Sequence, residues 1–165
     1  MFTSKYSVLS NGESLYTAKK GFWSSTINVN APDGTDKVTV SKQGFYPWKK
    51  YKFYVGNKDL GKLMQSSSFW YPELRGDLTI NDKVVPIVVK FDNYKSNINI
   101  KTNKEMAARC TSSFEFMTML SHRDYTCTID LPDLLSIPLV TAILASLIDL
   151  SIDTTRMRNR DDNYY

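Results

Sequence analysis

Between Phe45 and Tyr54 the chain reads FYPWKKYKFY, so Lys49, Lys50 and Lys52 are interleaved with aromatic residues. Ammonium groups set beside rings can hold phosphate while the rings enter a membrane interface or stack on bases. Trp48 supplies the largest ring, and Lys19, Lys20 and Lys42 would join the patch if their strands were neighbours. The same pattern also suits an amphipathic strand whose lysines keep an edge soluble.

No second constellation of this kind is present. His122 is the single histidine, in SHRD between two strand-like runs, and without a second His or paired Cys beside it makes a poor zinc site. Cys110 and Cys127 are too few for a disulfide framework and read as two small buried thiols, with a reducing compartment as the default. The seven glycines stand singly, so no phosphate-cradling loop appears, and neither Gly-x-Ser-x-Gly nor His-Glu-x-x-His occurs. The pair Asp161-Asp162 lies in a polar tail. The expectation is therefore a non-enzyme with no catalytic residues, no metal site and no cofactor.

Charge is unevenly spread over the 165 residues. Residues 1–128 hold 18 Lys/Arg against 11 Asp/Glu, a balance of +7, while residues 129–165 hold three against six, a balance of −3. A mildly basic body attracts phosphates without specifying which polyanion carries them. The opening MFTSKYSVLSNGE lacks the apolar run of a signal peptide, so the expectation is a cytoplasmic chain, with a membrane-peripheral one as the variant.

What must position these residues is mostly strand. From Lys5 to about Asp130, β-branched and aromatic runs are separated by turn residues, as in antiparallel sandwiches and barrels. The runs are KYSVLS, SLYTAKK, FWSSTINVN, DKVTVSKQ, WKKYKFYV, LGKLMQSS, DLTIN, KVVPIVVKF, YKSNINIKT, EMAARC, FEFMTML and DYTCTID. Turns are expected at Asn11-Gly12, Pro32-Asp33-Gly34, Gly56-Asn57, Asn81-Asp82 and Asp92-Asn93. In the run from Lys49 to Val55, Lys50, Lys52 and Tyr54 alternate with Tyr51, Phe53 and Val55, giving one wet and one dry face. Pro86 lacks a donor and belongs at an edge, a bulge or a strand boundary.

The pattern changes at LPDLLSIPLVTAILASLIDLSID, residues 131–153, where apolar residues cover every side of a helical wheel. Such a helix must be surrounded by protein or lipid. Asp133 or Ser136 can cap it, and Pro138 suits its first turn. The 15 uncharged residues between Asp133 and Asp149 make about 22 Å of helix, short of a hydrocarbon core of about 30 Å. A tail anchor would also have to translocate Arg156, Arg158 and Arg160. A helix over about 134–151 enclosed by protein is expected, with no transmembrane span.

Short antiparallel strands followed by a wholly apolar C-terminal helix and a short polar tail resemble the tubby C-terminal-like superfamily, which includes tubby domains, phospholipid scramblases and LURP-one-related proteins. The stretches carrying the resemblance are KYSVLSNGESLYTAKK with GFW after it, KKYKFYVGNKDLGKL, and LLSIPLVTAILASLIDL. The small LURP-one-related branch matches the length best. The resemblance implies a closed antiparallel β-barrel of about 12 strands around the hydrophobic helix, with residues 1–153 as the domain and 154–165 as a flexible tail. Tubby domains bind phosphoinositides through basic surface residues, whereas the acidic calcium segment of scramblases has no counterpart here.

The expected function is a binding or scaffold module for anionic phospholipid, using Lys49, Lys50, Lys52, Trp48, Lys19, Lys20 and Lys42. The alternatives are a protein adaptor or complex subunit, a tail-anchored membrane protein, and a single-stranded nucleic-acid binder, the last lacking any RNA-recognition signature.

Overall fold

The computed structural model describes residues 4–10, 12–21, 24–45, 48–66, 72–91, 97–112 and 125–161. The expected strand FEFMTML, the turns at Asn11 and at Asp92-Asn93, and His122 lie outside the described residues.

Eleven strands and one helix follow in chain order: β1 (Ser4–Ser10), β2 (Glu13–Lys20), β3 (Thr26–Asn30), β4 (Asp36–Gln43), β5 (Lys50–Val55), β6 (Lys58–Gln65), β7 (Glu73–Ile80), β8 (Lys83–Phe91), β9 (Asn97–Thr102), β10 (Glu105–Ser112), β11 (Tyr125–Ile129) and α1 (Ile137–Asp161). Each strand pairs antiparallel with the next, forming one sheet ordered β1 to β11. Among the described residues, β1 and β11 are the two ends of this order and the strands number eleven, the expected FEFMTML lying outside them.

The meander gives the sheet two unlike ends. At one, Gly56-Asn57, Asn81-Asp82 and Asn103-Lys104 each link two strands directly. Asn81 and Asp82 have φ of 50° and 62°, and Asn103 and Lys104 have 46° and 69°, the paired positive values of a type I′ turn. Asn103-Lys104 was not among the expected turns; Asn tolerates this conformation and leads it. The end with these turns also carries the five-residue connection 31–35, and at the other end lie the connections of residues 21–25, 44–49 and 66–72, of five to seven residues.

Pro86 lies opposite Asp77 in the interior of β8, while the pairing with β9 begins only at Ile87 opposite Thr102. Its missing donor therefore falls where the β8–β9 ladder has already ended, which is the boundary position a proline requires. Glycine is needed where β6 and β7 approach closely. A Cβ on Gly76 would stand 2.1 Å from the Lys62 carbonyl oxygen.

Inward-facing residues alternate along the strands and meet α1. Ile27 and Val29 of β3, Val38 and Val40 of β4, and Tyr51 and Phe53 of β5 are buried, as are Leu74, Ile87, Ile98 and Ile100 farther round. Burying each such side chain contributes about 1.5–3 kcal/mol. The helix touches β2, β3, β4 and β8. No residue from Leu139 to Leu150 is exposed; Leu144 and Ile148 are half-buried and the remainder are buried. The hydroxyls within this stretch are satisfied internally, since Thr141 Oγ1 donates to the Ile137 carbonyl and Ser146 Oγ to that of Ala142, both at 2.8 Å. No helix among the described residues is long and apolar enough to cross a membrane.

Two expectations are corrected here. The helix expected over 134–151 starts at Ile137 and continues to Asp161, so residues 154–161 of the expected flexible tail are helical. The cysteines are not separate buried thiols. Cys110 of β10 and Cys127 of β11 are direct cross-strand partners with Cα atoms 4.0 Å apart, joined in a disulfide, and Cys127 is exposed. Closing a 17-residue separation stabilises the fold by about 3 kcal/mol through the unfolded chain.

Candidate functional site

The lysines of the expected patch divide between the two faces of the sheet. Strand alternation is the cause. In β2 Ala18 is buried, so Lys20 shares the inner face and Lys19 the outer; in β4 Val38 and Val40 place Lys42 inward. Ahead of β5, Lys49 has the parity of Tyr51 and Phe53, whereas Lys50 and Lys52 have that of the outer face.

The three inward lysines converge, at the end with the longer connections, on two carboxylates of α1. Asp149 and Asp153 are four residues apart and therefore on one side of the helix. Asp149, 7% exposed, accepts from Lys20 Nζ at 2.5 Å, from Lys42 Nζ at 2.9 Å and from the Tyr51 hydroxyl at 2.8 Å. Asp153 accepts from Lys42 and Lys49. Lys42 thus bridges both carboxylates, and Lys49 is only 8% exposed.

The titration of each group follows from its neighbours. Burial alone would raise the Asp149 and Asp153 carboxyls, yet hydrogen bonds from the lysines, joined at Asp149 by Tyr51, hold both below the usual carboxylate value. Burial also disfavours the Lys42 ammonium, but two carboxylates outweigh it and raise its pKa. Lys49 has Asp153 as its main partner and Lys42 as a repelling neighbour, and there burial prevails and lowers the pKa. The Tyr51 phenol is pushed far up, first by burial and then by the Asp149 charge. The cluster thus sets three lysines against two carboxylates and the Tyr51 phenol. Its chemistry is that of a buried ion-pair lock between helix and sheet, with no metal-binding group of three His, Cys, Asp or Glu among the described residues.

The outward lysines form a different arrangement. Lys52 of β5 stands directly opposite Lys62 of β6, and Lys50 stands opposite Met64. Like charges directly across a ladder are unfavourable, and here Lys62 also stands opposite Asp77 of β7, whose carboxylate offsets part of the repulsion. Toward the end of the strand the surface becomes apolar. Trp48 is 63% and Phe45 74% exposed, held in a tight turn by the Trp48 amide donating to the Phe45 carbonyl at 2.7 Å, and Met64, opposite Lys50, is exposed too. From Lys52 to Trp48 is about 13 Å at the usual strand rise, so a basic band gives way to an aromatic rim over one short stretch.

The expected site is therefore brought together only in part. Lys50, Lys52 and Trp48 lie on or beside the outer face of β5, whereas Lys20, Lys42 and Lys49 face inward and are engaged by Asp149 and Asp153. Lys19 is exposed on β2, three strand positions from β5 or about 14 Å, and is opposed there by Lys5. Lys62, Met64, Asp149 and Asp153 were missed. The acidic pair four residues apart at the end of a helix that has to be enclosed was the available signal for buried cations. Lys62 needed the β5–β6 register, which the bulge between Phe53 and Tyr54 shifts. Compared with protein-family models, curated proteins and solved structures, this chain gives no match in any of the three.

Proposed function

We propose that this protein is a non-enzymatic module that docks on anionic phospholipid through the outer face of β5 and β6. The observation that carries the reading is the graded surface: Lys52 with Lys62, then Lys50 with Met64, then exposed Trp48 and Phe45. Lysines of this kind attract lipid headgroups and amphipathic rings suit the interface above the acyl chains. Enclosure of α1 over Leu139–Leu150, with contacts from both β2–β4 and β8, supports closure of the sheet into a barrel as the tubby-like resemblance implies. A barrel filled by its own helix leaves recognition to its outside and its loops.

Co-sedimentation with vesicles containing phosphoinositide, and with neutral vesicles, at two salt concentrations tests this. Each lysine near an anionic bilayer contributes about 1 kcal/mol, so Lys50→Ala/Lys52→Ala/Lys62→Ala should weaken binding by about 3 kcal/mol, or about two orders of magnitude. The loss should be larger at low salt, where screening is weakest. Wild-type protein that ignores both vesicle types, or binds both alike without salt dependence, would replace this reading by that of a protein adaptor using the same exposed aromatics.

A further inference from the structure

At the end of the sheet with the two-residue turns, beside the start of α1, lies a half-open depression of about 350 Å³. That volume is at the small end of the range of ligand pockets. Its lining is mixed: Val38, Leu60, Ile80 and Leu139 are buried at its floor, Val55 is 47% exposed, and the polar Thr79, Asn81 and Ser136 complete the wall. Two cations, Lys37 and Lys58, flank it. Lys37 is exposed, and Lys58 makes only a loose pair with Asp82 at 3.5 Å, the two side chains being 57% and 93% exposed. The first turn of α1 contributes Pro138 and Leu139 to the wall and contains no acidic residue, while the exposed Asp133 does not line the cavity. The helix N-terminus adds partial positive charge to that of the lysines.

We infer that this cavity binds a short amphiphile with a carboxylate head and an aliphatic body, of the medium-chain fatty acid class. The body lies on the floor of Val38, Leu60, Ile80 and Leu139, and the carboxylate sits at the mouth between Lys37, Lys58 and the first turn of α1. A cationic head would meet two ammonium groups there, and a neutral alcohol would forgo their attraction. The site is independent of the proposed membrane face, being at the far end of the sheet from Trp48.

The test titrates the full chain with sodium octanoate, octylammonium chloride and 1-octanol, following methyl resonances of Val38, Leu60, Ile80 and Leu139 by NMR. Saturable shifts at these methyls are expected with octanoate, with octylammonium at least tenfold weaker. Lys37→Glu/Lys58→Glu should weaken octanoate about tenfold and leave octanol unchanged, and the milder Lys37→Gln/Lys58→Gln should weaken octanoate in the same direction. Octanoate shifts that do not saturate, shifts confined to other parts of the chain, or equal affinity for octanoate and octylammonium would each overturn the proposal.

Discussion

Lys49 and Lys50 are neighbours in the chain and opposites in the fold. Lys49 is buried against Asp153 beneath the sheet, whereas Lys50 stands on the outer face opposite Met64. The same division separates Lys20 from Lys19. A run of lysines in a strand is thus two sets interleaved with period two, and only one can meet an external partner. The inner set joins helix to sheet, and the outer set lies on the other face, where Lys62 stands between Lys52 and Asp77. Density of charge along the sequence identifies neither.

The comparison is broken most severely from the helix side. Ile143 is fully buried within the stretch of α1 that is covered all round, and Ile143→Asp places an uncompensated charge there. The cost, several kcal/mol, is comparable to the entire stability of a small domain, so the variant should be recovered unfolded or insoluble. Soluble Ile143→Asp protein with a cooperative unfolding transition would show that α1 is not enclosed.

Asp149→Ala comes next. It leaves Lys20 and Lys42 without that carboxylate and the Tyr51 hydroxyl without its acceptor, and breaking a buried pair from one side costs about 3–5 kcal/mol. Denaturant unfolding should register a loss of this size, while binding to anionic vesicles at a temperature where the variant is folded should be unchanged. A loss below about 1 kcal/mol would mean that the inner cluster contributes little.

A smaller effect follows from pH. The Asp149 and Asp153 carboxyls are held below their ordinary value in the folded state, so each binds its proton less readily there than in the unfolded chain. Their stabilisation is fully present above the unfolded carboxylate pKa and is lost as pH falls through the folded values. Unfolding temperature should decline from about pH 4 downward, and the decline should shrink in Asp149→Asn/Asp153→Asn. An equally steep acid decline in that variant would assign it to other carboxylates.

Much of the architecture was legible in the sequence because it rests on local rules. The alternation in KYKFYV, the turn pair Asn81-Asp82 and the all-round apolarity of residues 139–150 each act within a few residues. What was not legible depends on register between distant segments. The pairing of Cys110 with Cys127 requires the β10–β11 ladder, and the meeting of Lys42 with Asp153 requires the helix to lie under β4. The helix runs on to Asp161 although its apolar pattern ends near Leu150. Asp149 and Asp153 fasten that region to the lysines.

The most direct test of the division between inner and outer lysines sets Lys42→Met beside Lys52→Met, two nearly isosteric removals of one charge. Lys42 bridges Asp149 and Asp153, and Lys52 faces Lys62 across the outer ladder. Thermal unfolding and phosphoinositide-vesicle binding are measured on both proteins. The expected result is a loss of about 3–5 kcal/mol for Lys42→Met with binding retained, and a stability change within about 0.5 kcal/mol for Lys52→Met with binding weakened several-fold. Equal losses of stability in the two variants, or loss of vesicle binding in Lys42→Met alone, would contradict the assignment.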